Sequence, residues 1–220
     1  ESRDLLAAYT ERGALPDPGG VLPVGAAGFV ARFLAHLRLA KKGDYVAITA
    51  YVERTPAREK FLREIRTMIR DRFKVATTVG YGPRFLHSTG QLHKGGAANG
   101  VFVQLSAAPA ADLSIPGERF SFGVLEAAQA LGDYESLAKR GRRALRVALG
   151  SDVDAGFRAL IAALAGTAKP TRHSTGTTKK RPAKRPAATA KTKAKKEGDR
   201  DGAHADQGAE GHRQEHGFGG

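Results

Sequence analysis

The chain has 220 residues, no cysteine and a formal net charge of +14. Without cysteine neither a disulfide framework nor a thiolate metal site can form, and no apolar run approaches the roughly 20 residues of a membrane span. The start, Glu1-Ser2-Arg3-Asp4, has nothing of a signal peptide, so the expectation is a cytoplasmic protein with no membrane partner.

Taken in chain order, residues 2–12 place Leu5, Leu6 and Tyr9 at helical spacing and stop at Gly13, ahead of a Pro/Gly-rich connection over 15–20. A second helix starts at Gly28 with Phe29, Val30, Phe33, Leu34 and Leu37 on one face and ends near Lys41-Lys42-Gly43. The run 45–52 is apolar on both faces, which suits a central parallel strand covered by helices. Thr55 then caps a helix with Pro56 at its first position and Phe61, Leu62, Ile65, Met68 and Ile69 on one face down to Phe73. Its Arg and Glu residues read as a solvated face. Residues 74–79 read as a short buried strand and 100–105 as a third strand. A loop through Pro116-Gly117-Glu118, helices over 120–131 and 134–140, a strand over 145–149 and a helix over 152–164 complete the pattern. Strand and helix alternate with short links, so the fold class expected is α/β, a three-layer αβα sandwich with a mostly parallel sheet.

Chemistry concentrates between Gly80 and Gly96, behind the strand 74–79, where open α/β sheets keep their ligand crevices. Gly80, Gly82 and Pro83 permit a tight turn, and Ser88-Thr89-Gly90 can open a helix whose N–H groups attract an anion. Arg84 and Lys94 add positive charge, and His87 and His93 can move protons near neutral pH. A phosphorylated small molecule fits. Neither the phosphate-binding G-x-x-x-x-G-K-[ST] nor the dinucleotide G-x-G-x-x-G pattern is present. The two histidines lack the spacing and carboxylates of a metal site, and no cofactor is expected. On the residues alone, each histidine serves equally as a hydrogen-bonded structural imidazole, and Arg84 as a cap or ion-pair partner. Glu118 and Glu126 read as structural acids, one near a helix start and one on a solvated face.

The run His87-Ser88-Thr89-Gly90-Gln91-Leu92-His93-Lys94-Gly95-Gly96 resembles the second half of a segment in the phosphoglucose isomerase family, Gly-Thr-Asn-Gly-Gln-His-Ser-Phe-Tyr-Gln-Leu-Ile-His-Gln-Gly. It aligns without a gap, and His87, Ser88, Gln91 and Leu92 match. Leu125-Glu126-Ala127-Ala128-Gln129-Ala130-Leu131 is similar to the family's Asn-Phe-Leu-Ala-Gln-Thr-Glu-Ala-Leu helix. The stretch from Gly80 to Gly96 most resembles the isomerase half of bacterial fusions of transaldolase with glucose-6-phosphate isomerase. The resemblance implies interconversion of glucose 6-phosphate and fructose 6-phosphate, with His87 opening the sugar ring in a neighbouring subunit's site. Ser88 and Gln91 are supporting matches beside it, and with the positive charge that Arg84 and Lys94 bring to the run, substrate contacts are expected from Arg84, Ser88, Gln91 and Lys94. The family's Met-Glu-Ser-Asn-Gly-Lys motif, its phosphate loop and its terminal Val-Glu-Leu-Gly-Lys have no counterpart here, and Lys94 stands where the family has a histidine. Residues 1–166 are therefore expected to be the C-terminal subdomain of a longer homo-oligomeric enzyme, inactive without its upstream isomerase subdomain.

Residues 167–220 carry 13 Lys and Arg against 6 Asp and Glu, with Phe218 as the one large apolar side chain. Such a segment cannot bury a core, so a disordered tail is expected, Lys/Ala/Pro-rich first and mixed Gly, His and acid beyond. Its cations suit sequence-independent contact with nucleic-acid phosphates, without base stacking. That gives a second reading of the whole chain, a non-catalytic sugar-phosphate-binding domain with a nucleic-acid-binding tail.

Overall fold

The computed structural model of the protein describes residues 2–16 and 19–166; the expectations for residues 167–220 lie outside the described residues. Strands β1 (Val21–Pro23), β2 (Tyr45–Tyr51), β3 (Ala76–Tyr81), β4 (Gly100–Ser106) and β5 (Arg143–Ala148) form one sheet in the order β1-β5-β4-β2-β3. Every neighbouring pair is parallel. Helices α1 (Ser2–Arg12), α2 (Phe29–Leu37), α3 (Pro56–Phe73), α4 (Thr89–Gly95), α5 (Phe122–Lys139) and α6 (Val153–Ala165) alternate with the strands and cover both faces. The expected three-layer sandwich is the fold.

The two inner strands show why both faces need helices. Val46, Ile48 and Ala50 of β2 and Val101, Val103 and Leu105 of β4 join a core with Phe33 and Leu37 of α2, Leu62 and Ile65 of α3, and Phe157 and Leu160 of α6. The alternate residues point the other way. Ala47 and Phe102 meet Leu137 of α5, Tyr51 meets Phe85 and Ala130, and Leu5 of α1 closes over Ala128 and Leu131. Gln104, also on that side and buried, donates from Nε2 to the Ala130 carbonyl at 2.9 Å. With roughly 1.5–3 kcal/mol for each large apolar side chain fully removed from water, neither layer is dispensable.

Local signals in the sequence account for the helix starts. Thr55 Oγ1 accepts from Arg58 N at 3.2 Å with Pro56 at the first position, and Asp152 accepts from Ala155 N at 2.8 Å. Four expectations need correction. The three-residue β1 was hidden by its Gly and Pro neighbours, and Pro23 is tolerated because β1 is an edge strand. Helix α2 ends at Leu37, before the lysines, and the chain turns at Gly43 with φ 89°. Lys74 is the left-handed residue that closes α3, with φ 54°, so β3 starts at Ala76; it is an edge strand, with Val79 39% exposed. Finally, residues 120–140 hold one helix. Gly132 and Asp133 read as a break, yet both are buried within α5.

Gly156, in the first turns of α6, lies against the backbone that follows β5: a Cβ there would collide with the Leu149 carbonyl oxygen. The atoms it would meet are the carbonyl oxygen, Cα and Cβ of Leu149, none of which can swing aside, so Gly156→Ala is expected to cost about 1–3 kcal/mol by overpacking, read as a lower urea midpoint at unchanged m-value.

Candidate functional site

Strands β2 and β4 are neighbours, but the chain leaves their carboxyl ends in opposite directions. After β2 it passes to α3 on one face of the sheet; after β4 it passes to α5 on the other. Such divergence opens a crevice at the strand ends. A cleft of about 590 Å³ lies there. Glu53, Arg54 and Arg58 form one wall, Phe122, Glu126 and Gln129 the other, and Pro83 and Arg84 reach in from the end of β3.

The charges of the cleft are unequally committed. Arg58 donates from Nη1 to the Glu53 carboxylate at 3.0 Å and from Nε to Asp154 at 3.3 Å. Arg54 pairs with Glu59 and lies over the Tyr81 ring at 5.8 Å. Arg84 is exposed and makes no ion pair or hydrogen bond with the described residues. On the opposite wall, Phe122, Glu126 and Gln129 follow each other by four and three residues, one stripe along α5. Phe122 is 55% exposed. Glu126 is half-buried, and that burial raises its carboxyl above the ordinary range. It does not sit on the solvated face expected for it. Nearby, burial and the charges of Asp133 and Glu126 hold the Tyr51 hydroxyl protonated.

The run from Gly80 to Gly96 is built in two sets of residues. One set is anchored. Phe85 is buried edge-on to Tyr51 at 5.8 Å, lying over Gly80, and a side chain at Gly82 would strike the Tyr51 ring. His93 is 5% exposed and enclosed by Phe102, Tyr45 and Phe85 at 5.0, 6.0 and 6.2 Å. Burial lowers its pKa, against the opposing pull of Asp133. Lys94 Nζ meets Asp133 Oδ1 at 2.7 Å, with the two side chains 19% and 3% exposed. Arg142 Nη2 then donates to the carbonyls of Lys94 at 2.8 Å and Gly96 at 2.6 Å, closing the end of α4.

The other set is displayed. His87, Ser88 and Gln91 are exposed, as is Leu92 at 62%. Of the residues expected to form the site, Arg84 lines the cleft, whereas His87, Ser88 and Gln91 do not. Lys94 does not line it either, and its ammonium is engaged by Asp133. The sequence reading missed Glu126, Arg54 and Arg58 as cleft residues; the 122/126/129 stripe directly after a strand-end loop was the available signal.

No family model matches this chain, and no curated protein matches it. Among solved structures, the crystal structure of the hypothetical protein TT0462 from Thermus thermophilus is similar at a TM-score of 0.45 and 18% identity. The match covers 61% of this chain and 38% of that one, so the chain spans well under two thirds of the other's length. Among the described residues no helix is long and apolar enough to cross a membrane, and no three His, Asp or Glu side chains are grouped to hold a metal ion.

Two predictions concern the anchors. Lys94→Met leaves a buried carboxylate without its cation and is expected to cost about 3–5 kcal/mol, while Lys94→Met with Asp133→Leu recovers most of it; urea denaturation of the three proteins measures both. His93 and the part-buried His36 have pKa values lowered chiefly by burial, so the unfolded chain takes up protons before the folded one as pH falls. The histidine contribution is therefore complete above the unfolded value near 6.5 and lost as pH falls below it toward the folded values. Urea midpoints at a series of pH values from about 7.5 down to about 5.5, roughly one unit either side of that value, should fall for the wild type and fall less steeply for His93→Leu.

Proposed function

We propose that this chain is the C-terminal portion of a glucose-6-phosphate isomerase, of the kind found in transaldolase fusions, and that His87 opens the sugar ring in the site of a neighbouring subunit. The observation that supports this most is the division of the run 80–96. Its anchors at Phe85, His93 and Lys94 are buried or ion-paired, and His87, Ser88 and Gln91 stand outward on that rigid base. A side chain that serves its own subunit has no need to stand outside its own cleft. One that serves a neighbour must be exposed before assembly and held in a fixed position.

Ring opening moves a proton from the C1 hydroxyl and delivers one to the ring oxygen. An imidazole can do both in one turnover near neutral pH. The subsequent transfer of a proton between C2 and C1 needs a carboxylate that this reading assigns to the upstream subdomain, so catalysis requires both parts and at least two subunits. Ser88 and Gln91, proposed as substrate contacts, are exposed like His87, whereas the ammonium of Lys94 is paired with Asp133.

The test is made on the enzyme assembled with its upstream subdomain. His87→Ala should lower turnover of ring-closed glucose 6-phosphate by about a hundredfold or more, the usual worth of a positioned acid–base group, and lower turnover of an open-chain analogue far less. Equal losses on the two substrates overturn the ring-opening role.

A further inference from the structure

The cleft between β2 and β4 does not include His87, and its walls carry chemistry that the ring-opening role leaves unused. We propose that this cleft is a ligand site in its own right, complete within one chain, which takes a monophosphorylated sugar or polyol: Arg84 holds the phosphate, Phe122 the C–H face, and Glu126 with Gln129 the hydroxyls. The ligand class rests on the sugar-phosphate reading above; the site's existence rests on the fold.

Three features fix the ligand's chemistry. First, the cleft sits where the chain leaves two adjacent parallel strands on opposite sides, the position at which open α/β sheets take up small molecules. Its volume of about 590 Å³ lies within the range of such sites. Second, of its three arginines, Arg54 and Arg58 are neutralised by Glu59, Glu53 and Asp154, leaving Arg84 as the one uncommitted cation among the described residues of the cleft. One guanidinium forks onto one phosphate. A di- or triphosphate would bring several further charges against Glu53 and Glu126. Third, Phe122, Glu126 and Gln129 span roughly 10 Å along α5 at 1.5 Å per residue. An exposed ring followed by a carboxylate and an amide suits a molecule with an apolar edge and successive hydroxyls. Inorganic phosphate would leave that wall unused.

The experiment is a titration of the full 220-residue chain by heteronuclear NMR and calorimetry, with glucose 6-phosphate, glucose and inorganic phosphate as separate probes. The cations of residues 167–220 are common to all variants and cancel in the comparison. Glucose 6-phosphate is expected to bind with shifts confined to the ends of β2, β3 and β4 and the first turns of α5. Glucose and phosphate should each bind at least about tenfold more weakly, the loss of roughly one 1.4 kcal/mol set of contacts. Arg84→Gln and Phe122→Ser, both at exposed side chains, should each weaken glucose 6-phosphate by about tenfold or more, and Glu126→Ala likewise. His87→Ala should leave the affinity unchanged.

Equal binding of phosphate and glucose 6-phosphate, untouched by Phe122→Ser and Glu126→Ala, would reduce the site to surface anion attraction and overturn the proposal. A loss from His87→Ala as large as that from Arg84→Gln would show that the cleft is not a site of its own. Absence of glucose 6-phosphate binding overturns it outright. The isomerase reading is judged separately, since an assembled enzyme that lacks isomerase activity leaves these affinities standing, and an active one does not supply them.

Discussion

Strands β2 and β4 have no solvent-facing side. Seven consecutive residues of β2 are buried or nearly so, and β4 repeats the pattern through Leu105. Two such strands side by side can be satisfied only if helices cover both faces, and parallel pairing forces each connection to cross over the sheet. The chain therefore has to send α3 to one face and α5 to the other from adjacent strand ends. The cleft, its two unlike walls and the position of Arg84 follow from that one requirement.

Much of this was legible in the sequence. The apolar run at 45–52, the Thr55-Pro56 start of α3 and the alternation of strand and helix carry the sheet and the layers, because burial pattern and capping are local properties. What escaped was decided by partners distant in sequence. Gly132-Asp133 carries the local signature of a break, but Asp133 is met by Lys94 thirty-nine positions earlier and the helix continues. β3 has the composition of a buried strand, and nothing local tells an edge from a centre. Arg84 was legible as a cleft cation because it follows directly on β3. Glu126 was not, since a carboxylate on a helix looks solvated until the facing wall is known.

The pair of Lys94 and Asp133 illustrates how a charged residue is misread. In a polar run rich in glycine and hydroxyls, a lysine suggests a phosphate ligand. Here its ammonium is turned inward onto a carboxylate that is 3% exposed, and the neighbouring His93 is enclosed by three aromatic rings. Burying an ion pair gains little stability over an apolar pair of the same volume, but it dictates which way α4 must face. Asp133 in α5 thereby fixes the orientation of residues far from it in sequence and on the surface.

A consequence follows for how this surface can change over time. Residues 85, 93 and 94 are constrained by rings and charges that tolerate few replacements, whereas 87, 88, 91 and 92 contact little of their own chain. Burial and exposure are thus assigned to different positions of one short segment. Replacements at the displayed positions would leave the buried rings and the ion pair that hold the segment in place untouched.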